Sequence, residues 1–262
     1  MSGWTSDAVL AAAAAWAWVP SDADQVLTGD YHVIAYPGHY LFPTQVAWSR
    51  SGRPASELVG EITAQASKWG RDRLYWWISD ATSPADTEAT LRDHGASLET
   101  TVQVLACDMS ESLPALDVPH DARAQIVRDE PDLRAFELVS GQVWQSDRKM
   151  SEAEFARELA ETRDELSSWS GFRVVVFLDG SPASAGGCTL AGSVARLWGA
   201  GTLPAYRGRG AYRALLAARL ATARQQGMTL ALVKGKVETS GPILRRAGFA
   251  GYGTERCYRL DI

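Results

Sequence analysis

Cysteine is scarce in this sequence. The three thiols, Cys107, Cys188 and Cys257, stand far apart and show no Cys-x-x-Cys spacing. An odd, dispersed set supports neither a disulfide framework nor a zinc site. The four histidines (His32, His39, His94 and His120) lack ligand spacing as well, so no metal is expected. Positive charge is in deficit: 26 Lys and Arg against 31 Asp and Glu leave a net charge of −5. That balance argues against nucleic acid as a partner and is compatible with a cationic amine. Long apolar runs are missing too. The alanine-rich stretch Val9–Val19 is too short to span a bilayer. No positive charge precedes it in Met1–Asp7, as a secretory leader would require, and Ser21-Asp-Ala-Asp24 follows it. A soluble, cytoplasmic protein without a membrane partner is expected.

What is present is ordinary globular material. With 46% hydrophobic and 22% charged residues there is enough for a sizeable core. The length of 262 residues exceeds one average domain, so two are expected, 1–112 and 113–262. The stretch Ser110–His120 between them has the Pro and Ser content of a linker. Ten tryptophans are many, and most are expected in the core or in pocket walls.

The most informative stretch runs Thr202-Leu-Pro-Ala-Tyr-Arg-Gly-Arg-Gly-Ala-Tyr-Arg-Ala-Leu-Leu216. A strand over 195–203 enters a turn on Arg207-Gly208-Arg209-Gly210, which opens into an amphipathic helix. Glycines let the backbone approach a ligand closely, and the first N–H groups of a helix have no internal partner. The helix dipole and Arg207, Arg209 and Arg213 add positive potential, which suits a pyrophosphate. Taken alone, such a turn is more often a simple connector. No Lys-Ser or Lys-Thr follows the glycines, which counts against a nucleoside-triphosphate P-loop. Arg213 stands where the third glycine of a dinucleotide-binding loop belongs.

The series Leu203, Pro204, Tyr206, Arg207, Gly208, Arg209, Gly210 and Ala211 resembles the acyl-coenzyme A loop of the Gcn5-related N-acetyltransferase (GNAT) family, Arg/Gln-x-x-Gly-x-Gly/Ala. The sequel is similar to the family as well: a strand at Thr229–Val233, a helix opened by Pro242, then Gly248-Phe249 and a final strand Tyr258–Ile262. The resemblance spans about residues 120–262. It implies an α/β fold with a mixed, mostly antiparallel central sheet flanked by helices. It also implies an N-acetyltransferase that uses acetyl-coenzyme A or another acyl-coenzyme A as donor. There are departures. Tyr212 stands where the family has a small residue, Val237 where it often has Asn, and Leu244 where many members carry a tyrosine that protonates the leaving thiolate.

The first half looks like a second copy. Thr90-Leu-Arg-Asp-His-Gly-Ala96 parallels Ile243-Leu-Arg-Arg-Ala-Gly-Phe249, and each glycine is followed by fourteen residues of strand-like sequence. Lys68-Trp-Gly70 parallels Gln225-Gln-Gly227, and Leu74–Ile78 parallels Thr229–Val233, with four extra residues in the first connection. Core stripes match too: Val59, Ile62, Ala66 and Trp69 in one helix, Leu216, Leu220 and Ala223 in the other. The alignment sets Arg50-Ser-Gly-Arg-Pro54 opposite Arg207-Gly-Arg-Gly-Ala211. Pro54 has no N–H to offer and Arg53 carries a side chain at the place of Gly210, so the first copy should not cradle pyrophosphate. Two tandem acetyltransferase-like domains are expected, the first degenerate; it either walls part of the acceptor cleft or serves stability alone.

The resemblance further implies that the pyrophosphate takes N–H bonds from Arg209–Tyr212, with Arg207, Gly208, Gly210 and Ala211 shaping the loop. The pantetheine arm would pair with the strand edge at Thr202, splayed by Gly199-Ala-Gly201. The Leu203 amide is the candidate oxyanion donor. The strand 195–203 holds no carboxylate, so Glu238 is the candidate base, with capping of the next helix as its structural alternative. Tyr252 is the candidate acid in place of Leu244, and Trp198 a lining residue of the acceptor pocket. A small-molecule amine acceptor is favoured, as is a monomer or a homodimer. The rival reading is a non-catalytic acyl-coenzyme A sensor or scaffold.

Overall fold

The computed structural model describes residues 3–38, 40–144 and 150–262. His39 lies outside them, as do Met1 and Ser2 of the N-terminal stretch. In chain order the elements are α1 (Ser6–Ala14), β1 (Asp24–Leu27), β2 (Tyr31–Ala35), β3 (Thr44–Ser49), α2 (Ala55–Lys68), β4 (Arg73–Ile78), α3 (Thr87–Asp93), β5 (Ser97–Asp108), β6 (Arg123–Ile126), α4 (Glu130–Val143), α5 (Glu152–Ser167), β7 (Gly171–Leu178), β8 (Ser181–Ala191), β9 (Val194–Thr202), α6 (Ala211–Gln225), β10 (Leu230–Lys236), α7 (Ser240–Arg246) and β11 (Ala250–Asp261). The architecture is mixed α/β. Among the described residues no helix is long and apolar enough to cross a membrane, and no group of three or more His, Cys, Asp or Glu could hold a metal.

The chain forms two compact units. The first unit comprises Leu10–Val104, Gly235–Pro242 and Gly251–Ile262; the second comprises Met1–Val9, Leu105–Lys234 and Ile243–Ala250. The compact units do not follow a cut between 112 and 113. The reason is β11, which closes the sequence yet pairs with β4 from Arg73↔Asp261 to Ile78↔Arg256.

In the first unit the strand order is β1-β2-β3-β4-β11-β5. The pairs β1/β2 and β2/β3 are antiparallel, while β3/β4 is parallel over Gln45↔Tyr75 and Val46↔Trp76. A parallel pair needs a crossover, and α2 supplies it. Its stripe of Leu58, Val59, Ile62 and Ala66 is buried against Val46, Leu74, Trp76 and Tyr258. Each buried Leu or Ile contributes roughly 2 kcal/mol. Trp69, expected on that stripe, is the C-cap residue and packs only at its margin.

In the second unit the order is β10-β9-β8-β7-β6. Phe172, Val174, Val176 and Leu178 of β7 face a cluster with Leu215, Leu216 and Leu220 of α6. Val175 and Phe177 face Leu133, Phe136 and Val139 of α4 and Phe155 of α5. A strand covered on both faces reads as a continuous apolar run, which is how Val174–Leu178 reads. The helix starts follow their sequence signals. The Asp129 side chain accepts from Asp132 N at 3.1 Å. Ser151 and Glu154 form a reciprocal capping box, the Ser-x-x-Glu signature, heading α5.

Matching stops close the crossover helices. Gly70 follows α2 at φ +68° and Gly227 follows α6 at φ +83°. Gly95 and Gly248 end α3 and α7 at φ +87° and +92°, and in both cases the next strand starts two residues later. All four sit in left-handed helix stops that favour glycine.

Candidate coenzyme-binding site

The site begins with a flaw in β9. Ala185 pairs with Gly201 and Gly187 with Trp198, so two steps along β8 face three along β9. The extra residue lies beside Gly199, whose φ is +61°, and this is the expected irregularity in Gly199–Gly201. On the other side of β9, the parallel pairing with β10 ends at Arg196↔Leu232. Beyond that point the β10 side of β9 has no registered partner among the described residues.

Past the strand, a 3-10 turn over Pro204–Tyr206 leads into the loop Arg207–Gly210. Gly208 (φ +76°) and Gly210 (φ +84°) hold left-handed backbone, which L side chains rarely adopt. Gly210 is the N-cap of α6 and has no side chain to cap with. The first helical bond is Ala214 N to Gly210 O at 3.1 Å, so the Ala211, Tyr212 and Arg213 amides precede any intrahelical acceptor. Such amides at the positive end of a 15-residue helix, with Arg209 and Arg213 beside them, fit a diphosphate group.

The three arginines are engaged elsewhere. Arg207 Nε donates to Thr202 O at 3.3 Å, Arg209 Nη2 meets Asp179 Oδ2 at 2.7 Å, and Arg213 Nε donates to Asp117 O at 2.6 Å. Gly210 also has a packing reason for lacking a side chain: a Cβ there would lie 2.4 Å from Pro119 Cγ. The stretch read as a linker thus lies on the loop. Its Leu113 and Leu116 pack against the core, and Glu111 O accepts from Arg224 Nη2 at 2.7 Å.

The Leu203 amide, expected as oxyanion donor, is instead committed to Ala183 O at 2.9 Å. In an antiparallel ladder the residue next to a bonded pair turns its N–H and C=O away from the partner strand. That residue is Thr202, opposite Ser184; its carbonyl indeed meets Arg207 on the far side. Thr202 N–H, not Leu203 N–H, therefore faces the open edge of β9. Sequence reasoning assigned this strand edge to pantetheine but missed the parity.

Trp198 belongs to the cluster beneath α4 and α5. Its ring covers Gly187, where a Cβ would come within 2.2 Å, and Nε1 donates to Thr189 Oγ1 at 3.0 Å. Arg173 lies over that ring and is held by Glu158 and Glu165, each at 2.6 Å. Glu161 on the same helix has its pKa raised by desolvation and by the neighbouring Glu158 charge. Leu244 is buried in the α6-side core. Tyr212 packs against that core and hydrogen-bonds Arg219, a buried guanidinium that also donates to Gly187 O at 3.2 Å. Burial lowers the Arg219 pKa and raises that of Tyr212. No sequence pattern pointed to Arg219, because a lone arginine on a helix reads as solvated. Glu238 is exposed in the turn before α7, and Tyr252 is half-buried on β11. Both belong to the first unit and are not among the residues that the second unit assembles around the loop.

In the first unit, the stretch aligned with the loop is built differently. Arg50 bridges Ser83 in parallel, Ser51 N donates to Ser83 O at 3.2 Å, and Ser83 N donates to Ser49 O at 3.2 Å. The longer connection after β4 thus fills the edge of β3. Pro54 is the N-cap of α2, so the helix starts set it opposite Gly210 rather than Ala211, because α6 has 15 residues and α2 has 14. Arg53 is occupied by Asp30, Glu57 and Glu61 at 3.5, 3.6 and 2.7 Å.

Residues 141–249 match the model of the acetyltransferase (GNAT) family. No curated protein matches the chain by sequence. Among solved structures, a GCN5-related N-acetyltransferase from Kribbella flavida is similar with a TM-score of 0.65 at 19% identity, over 90% of this chain and 88% of that one. One from Sphaerobacter thermophilus has a TM-score of 0.62 at 17% identity, over 78% and 68%. A tandem GNAT protein from the clavulanic acid biosynthesis pathway has a TM-score of 0.59 at 15% identity, over 93% and 85%. At these identities the likeness is one of fold. The chain therefore carries a GNAT acetyltransferase domain match over 141–249, which takes in the bulged β9, the glycine loop and α6, within a fold that it shares with GNAT proteins.

Proposed function

We propose that this protein is an N-acyltransferase that moves an acetyl or other acyl group from acyl-coenzyme A directly to the amine of a small molecule. The observation that carries this reading is the loop. Two left-handed glycines, three amides without intrahelical acceptors and two flanking arginines meet the end of a bulged strand whose outer edge is open. The diphosphate would take the Ala211–Arg213 amides, and the thioester arm would lie along β9 at Thr202.

In direct transfer the amine nitrogen bonds to the thioester carbon and the C–S bond breaks. The carbonyl oxygen carries negative charge in between, and Thr202 N–H is the donor we assign to it. One such donor is typically worth about 3 kcal/mol. The sulfur leaves as a thiolate, tolerable at neutral pH because a thiol pKa is near ~8.5. An alkylammonium, with a pKa near ~10, must first lose a proton. On residue chemistry alone, Glu238 is the proton acceptor we assign and Tyr252 the donor to the thiolate. Glu238→Gln should remove the acid-side limb of the kcat/KM profile and Tyr252→Phe the alkaline one; unchanged profiles release both residues from these roles.

The first copy is proposed to be degenerate. Supporting this, Ser83 fills its strand edge, Pro54 replaces the capping glycine, and acidic side chains surround Arg53. A non-catalytic acyl-coenzyme A sensor is the second reading, favoured by the buried Leu244. Thiol release from acetyl-coenzyme A against a panel of amines separates the two: amine-dependent release supports transfer, whereas tight coenzyme binding without release supports the sensor. Arg209→Ala/Arg213→Ala should weaken coenzyme A binding at least about tenfold, as expected for loss of two charge-assisted contacts. Unchanged affinity in calorimetry would refute the loop assignment.

A further inference from the structure

Within the second unit, the segment Asp117-Val-Pro-His-Asp121 lies across the glycine loop. Asp117 O accepts from Arg213 Nε at 2.6 Å, and the Asp117 carboxylate stands 3.5 Å from Arg213 Nη2. The Pro119 ring rests on Gly210, and Ala122 N closes a turn onto Pro119 O at 3.1 Å. Arg209 is held above its ordinary pKa first by its bond to Asp179 and, more weakly, by the charge of Asp121. Asp117 thus meets Arg213 directly, Pro119 covers Gly210, and Asp121 adds only its charge near Arg209. The segment is tethered from behind: Leu113 and Leu116 pack on the core, Pro114 lies against Gly248, and Arg224 holds Glu111 O.

We infer that Asp117–Asp121 is a built-in competitor for the anionic ligand of this loop, occupying Arg213 and covering Gly210 until a diphosphate displaces it. This rests on the reading of the loop as a diphosphate site. Arg213 Nε–H has one hydrogen to give and cannot serve Asp117 O and a phosphate oxygen together. The carboxylate contacts are exposed, with the Asp117 side chain 96% accessible. Exposed ion pairs are weak, so the segment tunes affinity without closing the site.

The test is calorimetry of coenzyme A and of inorganic pyrophosphate with the wild type and with Asp117→Asn/Asp121→Asn, at low and high salt. The double variant should bind both ligands about three- to tenfold more tightly, and the gap should shrink as salt rises. A control that removes two acidic groups from α5, Glu161→Gln/Asp164→Asn, should keep the wild-type affinity. Equal or weaker binding by the double variant overturns the competitor and leaves the loop reading standing. Tightening of the same size in the control also overturns it, as a general charge effect. No binding by any of the proteins, with native circular dichroism, overturns the loop reading and the competitor with it.

Discussion

Alanine at Gly210 and alanine at Gly208 impose the same kind of backbone strain but differ in what the new methyl group meets. Both glycines are left-handed, at φ +84° and +76°, and an L-residue there costs about 1–2 kcal/mol. At Gly208 the added Cβ finds nothing within 4 Å, so strain is the whole cost. At Gly210 it would lie 2.4 Å from Pro119 Cγ and 2.8 Å from Cδ. One of the two segments must move, and overpacking of this kind costs about 1–3 kcal/mol. Urea unfolding should therefore place Gly208→Ala about 1 kcal/mol and Gly210→Ala about 3 kcal/mol below the wild type, with m unchanged. Pro119→Ala removes the clashing atoms. In a double-mutant cycle it should return about 1 kcal/mol to Gly210→Ala. If the two glycine variants agree within about 0.5 kcal/mol and the cycle shows no coupling, Pro119 is not held against the loop.

Three further outcomes follow from other parts of the fold. Burial pushes the Cys188 thiol up to about 12 and raises Cys107 and Cys257 as well, so a thiol reagent at pH 8 should label none of the three in the native protein and all of them in denaturant. The Tyr258 hydroxyl, at 2.6 Å, and then Arg256 hold the Glu88 carboxyl below its ordinary value of 4.5. A depressed carboxyl stabilises the fold above its unfolded pKa, and that stability is lost as pH falls through the folded one. Glu88→Gln should thus be about 2 kcal/mol less stable at pH 7, and its stability curve should meet the wild-type curve in acid; parallel curves down to pH 2 would refute this. Arg173→Met would leave Glu158 and Glu165, 30% and 36% accessible, without their cation. Their partial exposure keeps the expected cost near about 2 kcal/mol, below that of a fully buried pair, and thermal unfolding measures it.

Much of the framework was legible because glycine leaves a mark. Gly70, Gly95, Gly227 and Gly248 stand in left-handed helix stops, and the strands that follow Gly95 and Gly248 keep their register in the sequence. The apolar run Val174–Leu178 and the Ser151–Glu154 box likewise carry their structure in side chains. The role of Ser110–His120 was not legible. Its proline and serine content reads as a linker, yet the carbonyls of Glu111 and Asp117 hold it on the second unit alongside the packing of Leu113 and Leu116. Every residue owns a carbonyl, so no pattern of side chains announces which ones will be used.

The amide at the thioester position shows a sharper limit. Glycines at 199 and 201 announce an irregular strand, but not which residue is the extra one. In a ladder of period two, one extra residue exchanges the inward and outward amides for everything on that side of it. The bulge beside Gly199 gives Leu203 N–H to Ala183 and turns Thr202 outward. Had the extra residue come after Leu203 instead, Leu203 would face the open edge. Chemistry that depends on a single backbone N–H is thus decided by one unit of register, a quantity set by packing against β8, where Gly187 admits the Trp198 ring, and not by the residue at the site.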